Sequence, residues 1–180
     1  MPPGRRIVGL SLGALLSATA CCSGAPAVAQ QLSGSRGHYR ITILVPVKPE
    51  KAWQVLTRYE AMAGQMPDIR QARVLSRSGS QLELAQTYQA PYTFGLPIKA
   101  RLRLTETPPR QVAYTMVSGD RIRSLSGSWT ITPVRGGVTV EHRIDVDPDV
   151  PEVLLPVYYE LSEANLLESM RVLRKLMVNP

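Results

Sequence analysis

The sequence predicts an α+β domain in which a twisted, seven-stranded antiparallel sheet wraps one long C-terminal helix, with two short helices after the first strand. Three observations carry this. Seven runs alternate apolar and polar residues with period two. The separators between most of them are short and built from turn-forming residues. Beyond residue 150 the apolar spacing changes to steps of three and four and stays so nearly to the end of the chain.

The first run is Tyr39, Ile41, Ile43 and Val45 against Arg40, Thr42 and Leu44. Pro46 ends it, and Pro49-Glu50-Lys51 opens a short helix, with proline in the first turn and an acid near the N-terminus. Ala52, Trp53 and Leu56 are its apolar contacts, and a second helical turn covers Tyr59 to Gln65. Six strands follow at about Ile69–Arg77, Leu82–Ala90, Ile98–Glu106, Val112–Ser118, Leu125–Pro133 and Val138–Val146. Ser78-Gly79-Ser80, Pro108-Pro109, Gly119-Asp120 and Gly136-Gly137 separate them, and connectors this short favour antiparallel neighbours over helical crossovers. The closing helix runs from about Glu152 to Met177. Its stripe is Leu155, Tyr159, Ser162, Leu166, Met170, Leu173 and Met177, with Pro156 tolerable in the first turn.

The chain has 180 residues, 44% hydrophobic and 19% charged, with a net charge of +7, which suits one globular domain. Aromatic residues make up only 6%, so a base-stacking surface for nucleic acid is not expected. Arg5-Arg6, the apolar stretch Ile7 to Ala20 and the triplet Ala27-Val28-Ala29 form the pattern of a secretory signal cleaved after Ala29. Arg5-Arg6 also loosely fits a twin-arginine route, and Cys21 after Ala18-Thr19-Ala20 a lipoprotein site. Cleavage after Ala29 places the mature protein in the periplasm or outside the cell. It leaves 151 residues, lowers the net charge to +5 and removes both cysteines, so no disulfide or thiolate chemistry is expected. Residues 30–37 read as a flexible leader and 38–180 as the domain.

Alternation sorts the side chains by face. The inward set is mostly apolar but includes Gln86, Tyr88, Tyr114 and His142 among residues such as Leu102, Met116 and Trp129. Apolar walls with sparse polar groups are what a small-molecule cavity requires. Tyr159, Ser162 and Leu166 on the closing helix would face it. The outward row Lys99, Arg101 and Arg103 is either a solvated surface or a patch for an anionic membrane.

Val45-Pro46-Val47-Lys48-Pro49-Glu50-Lys51-Ala52-Trp53-Gln54-Val55-Leu56-Thr57-Arg58-Tyr59, then Met66-Pro67-Asp68-Ile69, resembles the START-like, helix-grip superfamily, in particular its polyketide cyclase/dehydrase and coenzyme Q-binding group. Leu104-Thr105-Glu106-Thr107-Pro108-Pro109 and Gly127-Ser128-Trp129-Thr130-Ile131 extend the resemblance over roughly Tyr39 to Met177. It implies a cavity between sheet and last helix for a hydrophobic small molecule or lipid, a quinone being one candidate, and carries over no catalytic residue.

Chemical motifs are sparse. His38 and His142 are the only histidines, too few for a histidine metal cluster, and no cofactor or metal is expected. Asp145-Val146-Asp147-Pro148-Asp149 starts like a calcium loop, but Val150 stands where glycine is needed and Pro156 where glutamate is. A positioned acid or base is available only from His142 with Tyr88 or Tyr114 across the sheet. The leading expectation is therefore a non-enzymatic binder or carrier of a hydrophobic ligand. A polyketide-type cyclase or dehydratase is the alternative, and a domain whose interior is filled by its own side chains is a third.

Overall fold

The structure, a computed structural model, describes residues 30–89 and 97–179. Strands β1 (Gln31–Ser35) and β2 (His38–Val45) are followed by helices α1 (Pro49–Leu56) and α2 (Tyr59–Met62). Then come β3 (Ile69–Ser78), β4 (Gln81–Tyr88), β5 (Ile98–Thr107), β6 (Gln111–Gly119), β7 (Ile122–Val134) and β8 (Gly137–Pro148). A single 3-10 turn, Glu152–Leu154, leads into α3 (Leu155–Val178). The strands form one antiparallel sheet in the order β1-β2-β8-β7-β6-β5-β4-β3. The α+β class, the antiparallel sheet, the two short helices and the long final helix are as the sequence predicts.

The strand count differs by one. Residues 31–35, expected within a flexible leader, pair with β2 through a tight reversal in which Arg36 and Gly37 both have positive φ. That backbone matches the twist of a two-residue hairpin, and at Gly37 a Cβ would press on the Val146 carbonyl. All of β1 except Leu32 is exposed, so it carries no apolar alternation to announce it.

β2 pairs with β8, so the first long strand and the last lie side by side, while β3 lies at the far edge. The chain between β2 and β3 must therefore cross the width of the sheet, and α1 and α2 make that crossing. Ile41, Ile43, Val45, Leu82, Leu84, Val112, Val138 and Val140 form the inner face of the sheet at 0–2% exposure. Each such aliphatic side chain contributes about 1.5–3 kcal/mol of burial. Met170, Leu173 and Met177 of α3 complete this core, and Trp53 packs on it from α1.

α3 starts where Pro156 is permitted, in its first turn. Its buried stripe is Tyr158, Ser162, Ser169, Met170, Leu173 and Met177. Tyr158 therefore takes the inward place expected for Tyr159. Both positions are compatible with a 3.6-residue period counted from Ser162, and the docking angle of the first turn selects the earlier one.

The outer face is a lattice of ion pairs. Arg101 and Arg103 of the expected cationic row both engage Glu83 on β4. Asp120 accepts a hydrogen bond from the Lys99 backbone amide at 2.6 Å. The acidic run that ends β8 and continues to Asp149 is likewise paired: Asp145 with His38 at 2.7 Å, and Asp147 and Asp149 with Arg123, each at 3.1 Å. No helix among the described residues is long and apolar enough to cross a membrane.

Candidate functional site

Between the sheet and α3 the packing is incomplete, and two adjoining cavities remain. The inner one, about 150 Å³, lies under α1 and α2 and is walled by Leu56, Met62, Met66, Leu84, Leu102, Leu104, Val112 and Leu173. The outer one, about 240 Å³, opens toward the β7–β8 end past Arg121, Asp149, Pro151 and Leu154. Asp68, Tyr88, Leu125, Ile144 and Leu166 border both cavities and so form the waist between them.

Polar groups enter this apolar space at a few points. The Tyr114 hydroxyl on β6 meets His142 Nε2 on β8 at 2.9 Å, although β7 lies between the two strands. The Tyr114 phenol can cross because the residue opposite it on β7 is Gly127. A Cβ there would lie 2.6 Å from Tyr114 Cζ, and nearer still to its hydroxyl and to the Arg143 carbonyl. On its other side the His142 ring stacks on Trp129, with centroids 3.7 Å apart and planes 4° from parallel. Burial lowers the His142 pKa from its ordinary value to about 3, so the imidazole is neutral at physiological pH. Burial pushes the Tyr114 hydroxyl well above the ordinary tyrosine value. Neither group exchanges a proton readily near pH 7, but the pair is well built to hold a shape and present a hydrogen bond.

At the waist the Tyr88 hydroxyl donates to Gln86 Oε1, and burial raises the Tyr88 pKa. Asp68 sits in the turn between α2 and β3, its backbone carbonyl accepting from the Gln89 amide at 2.9 Å. Its side chain has a long contact with Ser169 Oγ, at 3.4 Å, and burial raises its pKa. Among the described residues no Lys or Arg forms an ion pair with it. Ser162 Oγ is buried in the outer cavity without a hydrogen-bond partner among the described residues. Tyr59, over the inner cavity, is fixed by donating to Glu106 at 2.7 Å, and Arg77 holds the same carboxylate. The Leu104 to Pro109 motif thereby acquires a reason: its glutamate tethers α2 to the sheet.

Of the expected site residues, Gln86, Tyr88, Leu102, Tyr114, Trp129, His142 and Leu166 converge on the inner cavity, and Ser162 joins Tyr88 and Leu166 at the outer one. Two do not converge. Tyr159 borders neither cavity, its place being taken by Tyr158. Met116 lies beside a register shift opposite Arg101 and Leu102, and its sulfur packs over Gly119 rather than into the cavities. Two lining residues were not among the expected site set: Asp68, in a turn, and Tyr39, which alternation put on the apolar face of the first strand and which lines the outer cavity with its pKa raised by burial to about 12. Asp68 stood within the Met66-Pro67-Asp68-Ile69 segment, which was its only signal.

A curved antiparallel sheet closed by a C-terminal helix over an apolar, sparsely polar cavity defines a domain of the helix-grip type. The chain belongs to the polyketide cyclase/dehydrase and lipid transport family, whose model matches residues 45–158. Similar solved structures agree on the fold. One is the STAR-related lipid transfer protein from Xanthomonas axonopodis, with a TM-score of 0.66, 17% identity, and coverage of 83% of this chain and 99% of that one. Another is the Zhui aromatase/cyclase from Streptomyces sp. R1128, at 0.66 and 15%, covering 78% of this chain and 93% of that one. A START superfamily protein from Mycobacterium smegmatis follows at 0.62 and 18%, covering 79% and 98%. No curated protein sequence matches the chain.

Proposed function

We propose that this protein is an exported carrier that binds a hydrophobic small molecule or lipid between its sheet and α3. The observation that carries the reading is the pair of adjoining cavities, mainly apolar in their walls, with one end opening past Leu154 and Pro151. The two volumes together reach the lower end of the range for small-molecule sites, about 300–1,000 Å³. The family to which the chain belongs includes lipid transport in its scope. Export rests on the N-terminal pattern, which lies outside the described residues. A quinone and a fatty acyl chain are both apolar enough for the walls, and a loaded protein would approach an anionic membrane with its outward cations. Native mass spectrometry of gently purified protein should show a co-purified lipophile. A protein that arrives empty and also binds no member of a panel of fatty acids, quinones and sterols refutes the reading.

A cyclase or dehydratase is the second reading, favoured by the Tyr114–His142 hydrogen bond inside the cavity. Holding a reactive chain in one shape removes much of the entropic barrier to ring closure. A proton-transfer role for His142 is disfavoured by its low pKa, since general bases work best near the operating pH. Turnover of polyketide-like substrates that falls with His142→Ala, Tyr88→Phe or Tyr114→Phe would favour this reading over the first.

A further inference from the structure

The cavity walls are mainly apolar, yet an acid stands among the leucines and isoleucine of the waist. Asp68 borders both chambers, and Ser162 and Ser169 lie two turns apart on the face of α3 above them, with Leu166 between. An apolar ligand filling both chambers would seal the Asp68 carboxyl away from water with its own backbone amide and a 3.4 Å contact to Ser169 as its hydrogen-bonding company among the described residues. It would also leave Ser162 Oγ unpartnered, at 8% exposure of its residue. Burying such groups unsatisfied is costly. Purely hydrophobic cargo would favour apolar residues at both positions.

We propose that the ligand is an elongated, mainly apolar molecule carrying a neutral hydroxyl group partway along its length, bound by the Asp68 carboxyl at the waist and by Ser162 Oγ on the outer-chamber side of it. Apolar portions on either side of the hydroxyl would occupy the inner and outer chambers. A carboxyl offers an acceptor to the ligand hydroxyl, and the serine hydroxyl turns to donate to its oxygen. This inference rests on the binding reading above and refines it to a class of ligand.

The test is displacement of a fluorescent fatty acid from the full domain by stearic acid, by 10-hydroxystearic acid and by octadecylamine. The hydroxylated chain should displace the reporter at roughly tenfold lower concentration than stearic acid, the gain from one well-made hydrogen bond to a buried group. In Asp68→Leu and in Ser162→Ala that ratio should fall to about twofold or less. Asp68→Leu removes a buried carboxyl, so its thermal melt should be no lower than that of the parent protein, which separates lost recognition from lost folding. Equal affinity for the two acids in the parent protein overturns the waist proposal and leaves the carrier reading intact, as does a preference that survives in both variants. Tightest binding of octadecylamine overturns it in favour of a cationic ligand. Failure of all three to bind overturns the proposal and counts against the carrier reading as well.

Discussion

Replacing Gly127 by alanine should be costly, against the general trend that alanine improves on glycine inside a strand. The added Cβ would lie 2.6 Å from Tyr114 Cζ and closer to two oxygens, the phenol hydroxyl and the Arg143 carbonyl. The carbonyl belongs to the β7–β8 ladder and cannot swing aside as a side chain can, so either the strands part locally or Tyr114 leaves. Overpacking of this kind costs about 1–3 kcal/mol. Expelling the Tyr114 hydroxyl strands the buried His142 ring without its 2.9 Å partner, for about 1–3 kcal/mol more. Urea denaturation followed by tryptophan fluorescence should therefore place Gly127→Ala about 2–5 kcal/mol below the parent protein. Tyr114→Phe keeps the ring and loses only the hydrogen bond, so it should fall between the two. A Gly127→Ala protein as stable as the parent would show that no phenol crosses β7 at that point.

Three further outcomes follow from the same geometry. Burial holds His142 neutral to about pH 3, whereas the unfolded chain takes up its proton near pH 6.5, so stability falls as pH drops through that window. Asp68, raised by burial, acts in the opposite sense in both proteins, so chemical melts of the parent and His142→Gln isolate the histidine, which should cost the parent about 2–3 kcal/mol more between pH 7.5 and 4.5. Leu166→Trp, adding bulk at the waist, should lower affinity for a fluorescent fatty acid at least tenfold while the thermal melt stays cooperative; undiminished binding by the folded variant would place the ligand elsewhere. Expression of the full chain in a Gram-negative host, with Edman sequencing of the periplasmic product, should return Gln30 as the first residue, and a cytoplasmic product beginning at the initiator methionine would refute export.

How much of this was legible in the sequence depended on whether a segment has two unlike faces. β2, β5 and β8 bury one face and solvate the other, so alternation located their ends to within two residues. β1 exposes both faces, and nothing in Gln-Leu-Ser-Gly-Ser distinguishes a paired strand from a tail. The cavity's sheet-borne residues were legible for the same reason that the strands were. Met116 was not, because the register shift at the end of β6 breaks the alternation that placed it. Asp68 lies in a turn with no period, and only the fold carries it to the waist. Tyr158 and Tyr159 both satisfy the helical period, and adjacent identical residues give composition no way to choose between them. The role of Gly127 is still less visible: the glycine is plain in the sequence, but what passes over it comes from a neighbouring strand.

The closing helix is unevenly secured along its length. Met170, Leu173 and Met177 are wholly enclosed, whereas toward the N-terminus Tyr158 and Ser162 lie over open volume, and Val153 and Val157 stand 81% and 53% exposed. Such an arrangement sets a gradient of local opening free energy along a single element. Amide protons of the last turns should exchange with deuterium only when the whole domain unfolds, and those near Tyr158 orders of magnitude sooner, by fraying of one end. On the proposed carrier reading, that end of the helix is where a ligand would enter and leave while the sheet keeps every rung of its ladder. Occupancy should be readable as slowed exchange in the first half of α3, with the second half indifferent to whether the protein is loaded.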